Sequence, residues 1–272
     1  MQLGVNVPNF GPGTDPGVLR EWAGVVEGLG FDLLMVSDHV AITPDVAEQY
    51  PEPFYEPFTT LSWMAGITTR VRLGTTVLIL PYRHPLLVAR MAGNLNQLSG
   101  GRLVLGVGVG WARQEFEALD VPFAERGRLM DEYLTVLGDA WPAGSGEDEP
   151  EVPIWVGGNS AVAIRRAIRF GHPWHPLRRT LPWLRSALAE HSPPAFVPRI
   201  VLQLTAKPVE DGGRLAGVGT IDQVLDDLDQ LRSLGAETVV LDPFSGDPEE
   251  TRRPMEAWKA LTAVATHWRT RS

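Results

Sequence analysis

The chain has 272 residues, a formal net charge of −9, a hydrophobic content of 44% and no cysteine. That length and apolar content suffice for one compact domain over residues 1–272, about the size of a single α/β barrel. The acidity argues against a general nucleic-acid surface, and the missing cysteines exclude disulfides, thiolate metal sites and a cysteine nucleophile.

The N-terminus, MQLGVNVPNF, has no basic segment followed by a long apolar run, and no stretch approaches the length of a membrane span. The expectation is a soluble, cytoplasmic protein. Apolar runs then predict strands over 2–7, 31–37, 71–79, 102–108, 153–156, 172–175, 199–205 and 237–242, the sixth being the weakest. Helical periodicity covers 16–29, 59–69, 85–98, 113–141, 160–170, 182–190, 220–234 and 248–268. Strict β/α alternation with near-continuous apolar strands implies a parallel sheet, and eight repeats favour a closed (β/α)8 TIM barrel.

Two segments interrupt the alternation. Residues 41–58 (AITPDVAEQYPEPFYEPF) are too long and too rich in Pro, Glu and aromatics for a minimal loop, and they follow the second strand on the face where a barrel keeps its chemistry. They read as a lid-like insertion, or as a surface excursion packed on Phe54, Tyr55 and Phe58. Residues 142–152 read as a plain polar linker.

Asp38 and His39 end the second strand, so their side chains are expected in the barrel mouth. Histidine is suited to moving a proton near neutral pH, and a carboxylate can fix its tautomer. The structural alternative is that Asp38 caps a turn while His39 bonds loop backbone. Gly106, Gly108 and Gly110 alternate with valines at the fourth strand's end, where glycine lets a planar ring or phosphate approach the backbone. PIWVGGNS (153–160) is the sharper anion candidate: strand, Gly157 and Gly158, then Asn159 or Ser160 as helix cap. An ordinary capped strand-to-helix turn would look the same. No dinucleotide fingerprint, Walker lysine or metal-ligand spacing is present, and Gly144-Ser145-Gly146 lies in the linker rather than at a hydrolase elbow. Trp22, Trp63 and Trp258 lie at helical spacing among apolar neighbours and read as core.

VSDHV (36–40), TRVRLGTTVLILPYRHPLLVAR (69–90), NQLSGGRLVLGVGVGW (96–111), EFEALDVPFAERGRLMDEYL (115–134) and PIWVGGNS (153–160) together resemble the bacterial luciferase-like superfamily, in its branch dependent on coenzyme F420, a deazaflavin. The resemblance implies a barrel that binds a flavin-type cofactor at the strands' C-terminal ends. It implies Asp38 and His39 beside the ring, and a non-proline cis peptide near Thr76–Val77 supporting the ring's face. Gly108, Val109 and Gly110 would line the ring or its side chain, and Gly157, Gly158, Asn159 and Ser160 would receive the phosphate. The family's Gly-Asp-Gly-Trp around the sixth strand reads Gly171-His172-Pro173-Trp174 here, with Trp174 retained as a cofactor contact. Sugar-phosphate dehydrogenases of the branch carry a tryptophan and a glutamate where this chain has Thr43 and Trp111, which argues against that substrate.

The resemblance therefore implies an oxidoreductase that passes hydride between F420 and an activated C=C, C=N or C=O bond of a small organic molecule, with His39 as proton donor or orienting group. An FMN-dependent monooxygenase and a non-catalytic flavin binder are the alternatives. Arg178 and Arg179, just beyond the sixth strand on the rim of Gly157 and Gly158, are expected to meet the cofactor's anionic tail or simply to solvate the loop. No metal, nucleic-acid or membrane partner is expected, and a homodimer is left open.

Overall fold

The computed structural model describes residues 1–141 and 152–271, so the linker expected at 142–152 lies almost wholly outside the described residues. Strands are β1 Gln2–Asn6, β2 Leu33–Val36, β3 Arg72–Ile79, β4 Leu103–Gly108, β5 Ile154–Gly157, β6 Trp174–His175, β7 Arg199–Val201, β8 Gln203–Leu204, β9 Val218–Gly219 and β10 Thr238–Asp242. Helices are α1 Pro16–Gly28, α2 Pro44–Ala47, α3 Pro57–Ala65, α4 Pro85–Leu98, α5 Arg113–Ala118, α6 Arg126–Ala140, α7 Ala161–Phe170, α8 Leu181–His191, α9 Ile221–Ser233 and α10 Pro254–Arg269. None is long and apolar enough to cross a membrane among the described residues.

Eight parallel strands run in the order β6-β5-β4-β3-β2-β1-β10-β7. The seam between β6 and β7 is closed by parallel bridges, Trp174 to Phe196 and Leu177 to Arg199, so the sheet forms the expected (β/α)8 barrel. Strand residues alternate between its two faces. Leu33, Met35, Val104, Trp155, Val197 and Val240 pack together inside the barrel. Their neighbours Leu34, Leu103, Leu105, Val156, Val239 and Leu241 face the helix layer. The next inward residues toward the strands' C-terminal ends are polar, and they build the site described below.

Several predicted elements differ in detail. The helix expected over 113–141 breaks into α5 and α6, because Asp120 adopts a left-handed φ of 55° and Pro122 follows at once. The strand expected over 199–205 divides, β8 leaving the barrel to pair with β9, a short strand absent from the sequence prediction. Pro254 separates α10 from a 3-10 turn over Pro248–Arg252. The sixth strand has only two residues.

The segment Leu98-Ser99-Gly100-Gly101-Arg102 lies at the end of the barrel away from the chemistry. Gly100 and Gly101 take positive φ, and Arg102 donates to carbonyls of Ala65, Thr68, Val71 and Ser99 and to the Thr68 hydroxyl. This cluster closes the turn between α4 and β4 and is structural.

At Gly106 the strands β3 and β4 approach so closely that an added Cβ would lie 2.1 Å from the Thr75 carbonyl oxygen, whose own residue donates its hydroxyl to Gly106 O. Gly106→Ala is expected to cost about 3 kcal/mol, as overpacking against backbone that cannot give way. Urea unfolding measures it. A midpoint equal to wild type would show that β3 and β4 can part there.

Candidate active site

Asp38 and His39 follow β2 and are buried, at 3% and 5% exposure. Asn9, in the loop after β1, sets their direction by bonding both the amide and the carbonyl of Ser37. Asp38 accepts from the amide of Ile79 at 2.8 Å and takes both terminal nitrogens of Arg83, at 2.7 and 2.8 Å. Burial pushes its carboxyl up, and the Arg83 guanidinium opposes that. Arg83 also reaches Glu56 in the 41–58 segment at 3.1 Å, so no charge in this cluster is left unpaired.

His39 faces a different carboxylate. Its Nδ1 lies 2.7 Å from Oε2 of Glu115, a fully buried side chain on α5. Tyr82 donates its hydroxyl to the same oxygen at 2.9 Å, and the amides of Val40 and Ala41 bond Oε1 at 2.6 and 3.1 Å. The imidazole is otherwise ringed by Tyr50, Phe54 and Trp111, at 5.1, 5.5 and 5.8 Å between centroids. Two of these belong to the 41–58 segment. That segment is bound to the loop after β1 through the Phe10–Phe54 bridge and through Asn9, which bonds the backbone of Tyr55.

On β3 the register shifts between Thr75 and Leu78, and the Thr76–Val77 peptide is cis, where the resemblance placed it. Thr76 turns into the barrel. Its carbonyl accepts from Arg199 Nη1 at 2.7 Å, and its hydroxyl lies 2.9 Å from His175 Nε2. His175 Nδ1 bonds the Val197 carbonyl, which leaves Nε2 as acceptor for the Thr76 hydroxyl. Arg199 is paired with Asp242 through Nε and Nη2 at 3.0 and 2.7 Å, and Asn6 donates to Asp242 at 3.0 Å. A connected layer of five buried polar residues from β1, β3, β6, β7 and β10 thus lies above the apolar barrel interior. Asn6 Oδ1 is buried there with no partner among the described residues.

The glycines expected to admit a cofactor seat a side chain of the protein. A Cβ on Gly108 or Gly157 would lie 2.5 or 2.7 Å from the γ-carbons of Val77, and one on Gly110 would meet Ile79 and Phe116. Val77, half-buried, therefore stands between β4 and β5 on a glycine floor. Val109 lies on the same rim, half-buried. Gly158, at φ 130°, turns the chain into α7, and Ser160 caps the helix by accepting from Ala163 N. The remaining first-turn amides of α7 have no intrahelical partner, which suits an anion.

Two side chains differ from the expectation. Asn159 commits both ends of its amide to the backbone of Leu177, so it ties the β6 loop to the turn rather than offering itself to a phosphate. Trp174 is fully buried on the helix side against Trp183 and Phe196, and it donates to Gly158 O. It supports the turn from behind. Arg178 reaches the Ser245 carbonyl, and Arg179 is exposed with its guanidinium 5.0 Å above Trp183.

Residues of this chain that a flavin-type group could meet are thus Val77 on its glycine floor and the α7 turn, with the buried acceptor of Asn6 in the layer beneath. That set fits a planar ring with an anionic tail. Glu115, Arg83, Tyr82, His175, Arg199 and Asp242 escaped the sequence reading. A cavity of about 430 Å³ lies to one side, between Trp22 of α1, the start of α10 and Phe244; neither His39 nor the β4 and β5 glycines line it.

Residues 1–206 match the family model described as luciferase-like monooxygenase. A protein of Mycobacterium tuberculosis is 33% identical over 54% of this chain and 61% of its own length. The F420-dependent glucose-6-phosphate dehydrogenase of Microbacterium testaceum is 32% identical over 57% of this chain and 50% of its length. The chain thus spans between half and two thirds of these relatives. The crystal structure of monooxygenase RslO1 from Streptomyces bottropensis superposes with a TM-score of 0.71 at 20% identity, covering 98% of this chain and all of that one, a likeness of fold.

Burial lowers His175 to about 4, against the bond to Val197, with the charge of Arg199 adding to the depression. The unfolded chain takes up this proton near pH 6.5 and the folded one only near 4. Stability present in full above 6.5 is therefore lost as the pH falls through that window, by up to about 3 kcal/mol. Urea unfolding at intervals between pH 7 and 4 is expected to show a shallower acid loss for His175→Gln than for wild type; identical slopes would show that His175 is not held neutral.

Proposed function

The chain belongs to the luciferase-like monooxygenase family, and on that premise we propose that it is an F420-dependent oxidoreductase acting on an activated C=C, C=N or C=O bond of a small organic substrate. The observation that carries the reading is His39, held just after β2 with Nδ1 on Glu115 and its ring among Tyr50, Phe54 and Trp111. When bound, the deazaflavin supplies or accepts a hydride in a two-electron step without activating oxygen. The likeness to an F420-dependent dehydrogenase over more than half of the chain supports this cofactor.

The chain's own residues have three tasks. Val77 and the glycines under it bear the ring, while the buried network behind Thr76 keeps that surface rigid. The α7 turn at Gly157, Gly158 and Ser160 takes the phosphate, and Arg178 and Arg179 meet the anionic groups beyond it. His39 moves the proton: in reduction the substrate carbon would receive the hydride, and Nε2, having first taken a proton from solvent to make the imidazolium, would deliver it to the other atom of the double bond and return to the neutral ring. Segment 41–58, which places Tyr50 and Phe54 against His39, is the lid over the substrate.

Reduced FMN in the same place, with oxygen, would instead make a monooxygenase, a reading the family's description supports. Fluorescence titration with F420 and FMN, followed by reoxidation of the reduced complexes in air, separates the two. Micromolar or tighter binding of F420, weaker binding of FMN and no oxygen consumption are expected; tighter FMN binding with oxygen uptake would replace the proposal by the monooxygenase.

His39→Ala is expected to lower turnover by about 10²-fold or more with little change in cofactor binding. Wild-type turnover would reduce His39 to a structural role. Arg178→Ala/Arg179→Ala should weaken F420 several-fold, more at low salt than at high, because a solvated rim is screened. FMN, lacking the polyglutamate tail, should be less affected. Unchanged binding of both at low salt would send the tail elsewhere.

A further inference from the structure

Glu115 is 76 residues from His39 in sequence and fully buried beside it. The two amides on Oε1 can only donate. Burial and the neighbouring carboxylate push the Tyr82 phenol far above its ordinary range, so it keeps its proton and donates to Oε2. Three fixed donors thus hold the carboxylate with one position left, and at 2.7 Å His39 Nδ1 fills it. A bare nitrogen lone pair against that oxygen would be repulsive, so Nδ1 carries hydrogen. The other groups against the imidazole are faces or edges of Tyr50, Phe54 and Trp111, which do not select a tautomer.

We propose that Glu115 is a positioning residue for His39: it fixes the neutral imidazole as the Nδ1–H tautomer and leaves Nε2 as the position where the proton is exchanged. The tautomer follows from the geometry alone, and its catalytic use rests on the proton-transfer role proposed above. Carboxylates behind histidines act this way in other sites, where the wrong tautomer leaves the geometry intact and the chemistry slow.

The substitution Glu115→Gln reverses the demand. The amide oxygen is still required by Val40 N and Ala41 N, so the amide nitrogen faces His39 and donates to Nδ1, driving the ring proton to Nε2. Nitrogen-15 NMR of the ring nitrogens reads this directly, with the His39 signals among six histidines assigned by their loss in His39→Gln. Wild type is expected to show a protonated Nδ1 and an unprotonated Nε2 at mildly alkaline pH, and Glu115→Gln the exchanged pattern. Turnover with F420 should fall about 10²-fold in the variant while the F420 dissociation constant stays within about twofold.

The wild-type spectrum alone tests the proposal even if the variant fails to fold: protonation at Nε2 overturns it. So does a folded Glu115→Gln that keeps the wild-type tautomer or turnover. A wild-type Nδ1–H tautomer in a protein that binds neither F420 nor FMN would leave the dyad standing and dismiss the catalytic reading instead.

Discussion

A guanidinium inside the barrel is the constraint from which the rest of the site follows. Arg199 is 6% exposed and lies among strands whose other inward side chains are mostly apolar, where an uncompensated charge would be untenable. Asp242 neutralises it, Asn6 occupies the other carboxylate oxygen, and the remaining donor goes to the Thr76 carbonyl. That last bond requires the Thr76 carbonyl to point inward, at the place where β3 loses register. Val77 is then carried onto the mouth. The shape of the surface at the mouth is thus tied to charge pairing beneath it, since displacing Thr76 would leave Arg199 one acceptor short.

The rim repeats this arrangement with opposite sign. Here the buried charges are carboxylates, Asp38 and Glu115, and each is saturated by donors from a different part of the chain: Arg83 and Ile79 for one, Tyr82, Val40, Ala41 and His39 for the other. Two adjacent residues, Asp38 and His39, are consequently held by separate partners. The sequence suggests that Asp38 orients His39, because the pair is contiguous. In the structure that work falls to Glu115, and Asp38 fastens the end of β2 to Ile79 of β3 and to Arg83. Both buried carboxylates are thus hydrogen-bonded on each oxygen, and Asp38 has a cationic partner as well in Arg83.

The strands were legible because parallel strands buried on both faces read as continuous apolar runs, and their order along the chain sufficed for the barrel. Less legible were the pairings, which join residues far apart. Glu115 lies in EFEALDVPF, where helical periodicity reads a glutamate as solvent-facing; nothing local reveals that α5 turns it onto His39. Arg199, Asp242 and His175 carried a usable signal, since each is a polar group inside a predicted strand at the inward parity of the apolar residues beside it. A strand-by-strand count of inward positions would have gathered them as one layer. The break between α5 and α6 was signalled by Asp120 and Pro122, but a left-handed aspartate costs enough that sequence alone favours the longer helix.

The glycines show how one sequence signal can have two causes. Gly108 and Gly157 mark close approach at the ends of β4 and β5, and in the structure the Val77 side chain makes that approach. Both kinds of contact impose the same requirement on a sequence, no Cβ, so composition cannot separate them. The distinction has a functional consequence. If the glycines faced a cofactor directly, its ring would rest on two strands of backbone; because they seat Val77, the surface offered is one branched side chain whose position is set by β3, and through Thr76 by Arg199 and Asp242. The position of Val77 is therefore coupled to strands on the far side of the barrel, while the turn into α7 and the histidine after β2 stay local to their own loops.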